Sequence, residues 1–485
     1  MNKNNKLINI TSYINGKFLD NTANIEKILN PENNQEIAAY TSISTYELTQ
    51  TYKDAAKAFE SWKLLDPNKR IEYIEKFNEL LNQNLEDIAQ AIMQSIAKPK
   101  SAAIDEVKRT IQMIKDLIEQ YKLNFIKPTI MDEKITHTKN KVGIWTYEPL
   151  GTVLAIAPFN YPINLLISKI IPALLTGNVV IYKSANQTYI IGYIVAKLFN
   201  EIKIPHGVVN YIVTDGKDLG ATITANESIK LLNFTGGTKT GKEIMRTLAS
   251  STNRILEMGG LDPALITKNN DDPITIANEI VKGAFSFNGQ RCTAIKRIIL
   301  LKDNQEFNQK LKIELINAIN KLTVGKAVDD ANITALVNDI AVKRVLDLYD
   351  DAIKNNAKAL ILPKIDGNIV TPILLDDVTK KMKIYDTEAF GPILPIIYAK
   401  DIDDMIHIAN DTQYGLQASV FTKNEEEWWA IAKKIDAGSI NWNKSSSRGP
   451  DVFPFLGVKD SGFNVQGIYW SLYSTVRLKG YIENK

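Results

Sequence analysis

TVLAIAPFNYPINLLISKIIPALLTGNVVIYKS (residues 152–184) opens on a short apolar run, turns at a proline, continues at helical spacing and closes on a second β-branched run. Neither short run alternates with polar residues. That is the pattern of a strand, helix and strand in a βαβ unit whose sheet is covered on both faces. GVVNYIVT (207–214) and IKLLNFTG (229–236) repeat the strand pattern, with helical-period segments between. The four runs define an α/β fold around a mainly parallel sheet of the nucleotide-binding type.

Working outward, ITSYINGKFLD (10–20) and EIAAY (36–40) read as N-terminal strands. Residues 46–121 read as consecutive amphipathic helices. The clearest is KRIEYIEKFNELLNQNLEDIAQAIMQSIAK (69–98), with Pro99 predicted to end it. An extended stretch is expected over 124–147. Beyond RILEMGG (254–260) a second region begins, with helices predicted over 277–287, 308–322 and 425–438 and strands at TPILL (371–375) and GPILPIIYA (391–399).

Composition narrows the function classes. Lys plus Arg number 58 against 55 Asp plus Glu, a balance that gives no bulk attraction to nucleic acid or an anionic membrane. The N-terminus lacks a signal-peptide core, and the most apolar stretch is broken by Lys169, Pro172 and Gly177, so a cytoplasmic protein without membrane spans is expected. A single cysteine excludes an intrachain disulfide framework. His137, His206 and His407 lie far apart, so no metal site is expected.

Four segments carry candidate chemistry. NFTGGTKTGKEI (233–244) places small residues between a strand and a helix mouth, where free N–H groups favour a phosphate. Taken alone, such a Gly-Gly turn is more often structural. Cys292 sits in FNGQRCTAIKR (287–297), and a reactive thiol needs the electropositive setting that Arg291 offers. Glu257 in LEMGGLDP follows a strand and precedes two glycines, which suits a carboxylate projecting into a cleft. Asn160 in APFNYP stands at a strand-to-helix turn, where capping is the alternative role.

YINGKF, APFNYP, FTGGTKTG, EMGG, GQRC and EAFGP follow one another in an order and spacing that resembles the aldehyde dehydrogenase superfamily, from near the N-terminus almost to the C-terminus. The resemblance implies the aldehyde dehydrogenase fold: a Rossmann-like cofactor domain (1–124 and 150–257), an α/β catalytic domain (258–444), and an oligomerisation arm with the C-terminal tail (125–149 and 445–485). It implies Cys292 as nucleophile, Asn160 as oxyanion donor and Glu257 as the base that activates water. It also assigns Lys183, Asn186, Thr235, Gly236, Gly237, Gly241, Glu388 and Phe390 to cofactor binding. Glu257 favours hydrolysis over transfer of the acyl group to coenzyme A.

Within the superfamily, APFNYPINL, GAFSFNGQRCTAIKR, FGPILPI, YGLQAS and RGPDVFPFLGVKDSG followed by VQGI are similar to the NADP-dependent, non-phosphorylating glyceraldehyde-3-phosphate dehydrogenases. That likeness implies oxidation of D-glyceraldehyde 3-phosphate to 3-phosphoglycerate, bypassing one ATP-forming step of glycolysis. It assigns the substrate phosphate to Arg109, Tyr161, Arg291 and Arg448. The chain has only nine Arg among its 58 basic residues, and three of them fall at these positions, where a planar fork suits a phosphate. In KSANQT a neutral Asn186 follows Lys183 where NAD-specific members often carry an acid. NADP is therefore expected, with NAD as an open alternative, and the family implies a homotetramer. The rival readings are a dehydrogenase of another small aldehyde, such as succinate semialdehyde, and a catalytically silent scaffold.

Overall fold

The computed structural model describes residues 8–20, 25–214 and 221–484. Its first sheet contains five parallel strands in the spatial order Asn253–Glu257, Ile229–Thr235, Thr152–Ile156, Val179–Lys183 and Val209–Tyr211. The chain builds outward from Thr152–Ile156 in one direction, then returns to build the other side. Such a reversal opens a crevice beyond the carboxyl ends of the central strands. Tyr13–Ile14 and Gly462–Phe463 add antiparallel edges, so the N-terminal region and the tail both join this sheet.

Thr152–Ile156 and Val179–Lys183 are buried along their whole length, as runs without polar alternation require. The connecting helix, Asn164–Leu175, is buried on every side, which explains why no polar face was visible in its sequence. Lys169 therefore lies deep in protein.

A seven-stranded sheet forms the second layer system. At its centre Asp262–Ile266, Ile295–Leu301, Ile393–Ala399 and Gln417–Phe421 pair in parallel. A third, antiparallel sheet joins Lys141–Pro149 to Val476–Asn484 in register from Val476 opposite Pro149 to Asn484 opposite Lys141.

Three expectations need correction. The long helix over 69–98 is two helices, Pro67–Gln83 and Leu85–Ile96, separated at Asn84, whose side-chain amide donates to the Leu80 carbonyl instead of continuing the helix. The second helix ends before Pro99, at Ala97 in the left-handed region (φ 52°), and Pro99 instead opens the helix Lys100–Asn124. The extended arm is interrupted by a single helical turn, Glu133–Thr136, capped by Asp132. Among the described residues, no helix is long and apolar enough to cross a membrane.

Candidate active site

The crevice at the reversal point is a cavity of about 340 Å³. Its walls are the segment after Thr152–Ile156, including Pro158, Phe159 and Asn160; the end of Ile229–Thr235 with Gly236 and Gly237; and Lys183 to Asn186. Cys292, Glu388 and Phe390 come from the second layer system and close the other side. The sequence-predicted cofactor residues Lys183, Asn186, Thr235, Gly236, Gly237, Glu388 and Phe390 thus line one space, together with Cys292 and Asn160. Gly241 is not on the lining; it lies one helical turn in, packed against Met258, where a side chain would collide with the methionine sulfur.

Cys292 is presented by an unusual turn. Phe287, Asn288 and Gly289 are consecutive left-handed residues, with φ of 50°, 57° and 71°. Two of them lack the freedom of glycine, so the surroundings must hold them. Asn288 is held from both ends of its amide: Nδ2 donates to the Thr334 carbonyl at 2.9 Å and Oδ1 accepts from the Thr334 N–H at 3.0 Å. Gly289 is required sterically, since a Cβ there would lie 2.6 Å from the Gly391 carbonyl oxygen.

The electrostatics around the thiol differ from the expectation. Arg291 turns away, its Nη2 donating to the Gly283 carbonyl at 2.6 Å at the end of the helix Pro273–Phe285. Burial pushes the Cys292 thiol up to about 11, Lys296 opposes that push, and Glu257, Asp262 and Glu388 add to it. The cation near the thiol is thus Lys296, which donates to the Cys292 carbonyl at 2.6 Å and pairs with Glu388 at 3.2 Å. Glu388 in turn accepts from the Gly260 N–H at 3.1 Å, and glycine at 259 leaves the carboxylate its space.

Asn160 is buried and its Nδ2 donates to the Gln290 carbonyl at 3.0 Å, leaving its second N–H for another acceptor. Behind it stands a buried ion pair, Lys98–Glu106, at 2.6 Å. Lys98 Nζ also donates to the Asn160 carbonyl at 3.0 Å and lies 3.6 Å from the centre of the Tyr161 ring. Glu106 accepts from the N–H groups of Ile163 and Asn164, the first residues of the buried helix. Every charge in this pair has polar partners, the condition under which burial is tolerated. The pair fixes the backbone at Asn160 and just beyond it.

Glu257 ends its strand, buried, between two groups. Thr235 Oγ1 donates to it at 2.8 Å, and Arg448 Nη1 lies 3.2 Å from each of its oxygens. Lys169 Nζ donates to the same threonine hydroxyl at 2.7 Å, and burial lowers this lysine to about 8 despite the attraction of Glu257.

Arg448 also lines a second cavity of about 210 Å³, with Gln417, Gly449, Asp451 and Phe455. Arg109 reaches the same loop, forming a bidentate pair with Asp451 at 2.7 and 2.8 Å. Of the four phosphate candidates, Arg109 and Arg448 converge on this loop. Tyr161 sits beneath Lys98, and Arg291 points elsewhere.

The larger cavity fits a phosphorylated dinucleotide. Its lining carries two cations, Lys183 and Arg344, against one carboxylate, Glu388, which is paired with Lys296. Lys183 Nζ donates to Asn186 Oδ1 at 3.1 Å, so a neutral amide stands where a carboxylate would repel a 2′-phosphate. Gly237, at the N-cap of the helix Thr238–Thr247, has open space around its missing side chain.

This arrangement is that of a known class. A sequence model of the aldehyde dehydrogenase family matches residues 18–480, and the chain belongs to that family. It is 37% identical to the NADP-dependent glyceraldehyde-3-phosphate dehydrogenase of Streptococcus equinus, over 97% of this chain and 98% of the other. It is 32% identical to the enzyme of the same name from Pisum sativum, over 94% and 91%. The crystal structure of NADP-dependent glyceraldehyde-3-phosphate dehydrogenase from Bacillus halodurans C-125 complexed with NADP superposes with a TM-score of 0.94 at 36% identity, covering 98% of this chain and 99% of that one.

Lys98, Glu106, Lys296 and Arg344 were not singled out in the sequence, and Lys169 was noted only as a break in the most apolar stretch. Lys169 carried a usable signal, a lone cation inside an otherwise apolar helix.

Proposed function

We propose that the protein oxidises D-glyceraldehyde 3-phosphate to 3-phosphoglycerate with reduction of NADP, through a thioester on Cys292 that water resolves. The observation that carries this reading is the position of Glu257, bonded on one side to Thr235 of the nucleophile's cavity and on the other to Arg448 of the arginine-lined cavity. The names of the relatives, and the NADP in one related structure, support the substrate and the cofactor.

In this mechanism the Cys292 thiol gives its proton to water in the cavity, and its sulfur bonds to the aldehyde carbon, whose oxygen takes the electron pair. Asn160 Nδ2 and the Cys292 backbone N–H donate to that oxygen, each such donor being worth about 10²–10³ in rate. Bound NADP supplies the hydride acceptor that takes this carbon to the oxidation level of an acid. Glu257 then removes a proton from water as the water oxygen bonds to the thioester carbon, and the C–S bond breaks with its electron pair returning to sulfur. Lys183 and Asn186 hold the adenosine end of the cofactor, Gly236, Gly237 and the helix behind them its diphosphate, and Glu388 and Phe390 the nicotinamide end. Arg448 and Arg109 hold the substrate phosphate. We further infer a homotetramer in the cytoplasm, with the antiparallel sheet of arm and tail at the interfaces.

The test is NADPH formation in buffer free of inorganic phosphate, with D-glyceraldehyde 3-phosphate, plain glyceraldehyde and succinate semialdehyde side by side, each with NADP and with NAD. Fast NADP reduction confined to the phosphorylated aldehyde is the expected result. Activity on succinate semialdehyde with none on the phosphorylated aldehyde overturns the substrate. The Arg448→Ala variant is expected to lose the phosphorylated substrate while still turning over glyceraldehyde slowly; equal loss on both removes Arg448 from phosphate recognition.

A further inference from the structure

The two proposed oxyanion donors, Asn160 Nδ2 and the Cys292 backbone N–H, come from different layer systems, yet they must meet one oxygen at about 2.7–3.1 Å. One link between them is direct, the bond from Asn160 Nδ2 to the Gln290 carbonyl at 3.0 Å. A single bond to a side-chain amide leaves that amide free to swing about it.

A second link runs through a buried threonine that the mechanism does not use. Thr334 lies in the loop between the helices Gln305–Asn320 and Asp339–Lys354 and is fully buried. Its backbone is tied to the turn that presents Cys292 by the two Asn288 bonds described above, and three residues on the Val337 N–H donates to Gln290 Oε1 at 3.0 Å. Its hydroxyl donates to the Ala97 carbonyl at 2.6 Å, and the same oxygen lies 3.4 Å from Asn288 Nδ2. Ala97 is the left-handed residue that ends its helix, a conformation that an alanine keeps only where its surroundings impose it. Lys98, the next residue, donates to the Asn160 carbonyl at 3.0 Å. The path from the turn of Cys292 to the backbone of Asn160 thus crosses between the layers at the Thr334 hydroxyl. The bond also satisfies a buried carbonyl, but its place in this path gives it a second effect.

We propose that Thr334 is a positioning residue: by fixing the backbone at Ala97 and Lys98, its hydroxyl sets where Asn160 stands relative to the Cys292 N–H. The inference rests on the roles proposed above for Cys292 and Asn160, and not on which aldehyde is bound. Charge gathers on the held oxygen when sulfur adds to the aldehyde and again when water attacks the thioester. The turnover rate therefore reads the fit of the two donors at whichever addition limits it. Losing an oxyanion donor costs about 10²–10³ in rate, so loosening one should cost about tenfold.

The experiment removes the hydroxyl and asks through which residue the loss is felt. Thr334→Val keeps the shape of the side chain, and is expected to lower kcat about tenfold with KM for NADP unchanged. Thr334→Ser, which keeps the hydroxyl, should retain the rate. In an Asn160→Ala background Thr334→Val should cause no further fall, because the donor it positions is already gone. Alkylation of Cys292 by iodoacetamide, which develops no oxyanion, should proceed equally in Thr334→Val and the unaltered protein. An unchanged kcat, an equal fall in both backgrounds, or a parallel fall in alkylation overturns the positioning role while the proposed function stands. If Thr334→Val does not fold, Thr334→Ala is compared with Thr334→Ser; both lack the methyl and they differ by the hydroxyl alone, so the same tenfold ratio is expected and a ratio near one overturns the role. If the unaltered protein oxidises none of the three aldehydes, the functional reading fails and the positioning role falls with it.

Discussion

The two cavities on either side of Glu257 are assembled in different ways. The larger takes most of its lining from the turns that follow parallel strands: Pro158 to Asn160, Lys183 to Asn186, and Thr235 to Gly237. Each wall is a short stretch of sequence whose residues are neighbours in the chain. The smaller depends on pairings across long separations, Arg448 with Glu257 over 191 positions and Arg109 with Asp451 over 342. A sheet edge presents local motifs together, whereas an ion-paired pocket exists only once distant elements have docked.

The first way to break the comparison is Glu257→Gln, which leaves the walls of both cavities but removes the group between them. We expect a burst of NADPH about equal to the enzyme present, then a steady rate lower by about 10²–10⁴, the contribution of a positioned base. Unimpaired steady turnover in a stopped-flow assay would show that the two cavities do not meet functionally at this residue.

The second concerns the pillar behind Asn160. Lys98→Met leaves Glu106 buried without its cation, and should cost about 3–5 kcal/mol in urea unfolding. Adding Glu106→Gln should recover part of that loss. If Lys98→Met alone is neutral in stability, the larger cavity is held by its sheet and needs no distant pair.

A smaller effect is expected at the adenosine end. Asn186→Asp puts a carboxylate within reach of Lys183, and should raise KM for NADP about tenfold or more, equivalent to ~1.4 kcal/mol, while affecting NAD little. Equal effects on both cofactors would move the 2′-phosphate elsewhere in the cavity.

The mildest test perturbs nothing. With its thiol pushed up to about 11, Cys292 is protonated at neutral pH, so its alkylation by iodoacetamide should climb with pH until about 11. A rate that levels off below pH 8 would mean that burial does not hold the thiol up.

What could be read from the chain alone follows the same division. The parallel strands are continuous local runs, and the proposed nucleophile, oxyanion donor and base all sit at strand ends or sharp turns, where a few residues carry their own signal. Arg291 was misread because adjacency in sequence does not fix direction: its guanidinium serves the carbonyl of Gly283 while Lys296, four residues beyond Cys292, supplies the nearby charge. Lys98 and Glu106 carried no signal, since a Lys and a Glu near the junction of two amphipathic helices look like solvated charges until Asn160 arrives 62 positions later. The break at Asn84 was hidden because apolar spacing continues through it.

The close fit of Gly289 against the Gly391 carbonyl bears on how portable the loop that carries Cys292 is. Gly391 belongs to the same turn as Glu388 and Phe390, so the segment presenting the nucleophile and the segment proposed to seat the nicotinamide end touch backbone to backbone. A chimaera that transplants residues 287–292 into another member of the family without residues 388–391 would import a turn whose counterpart is missing. The two segments form a single exchangeable unit, and recombination within the family should respect that boundary.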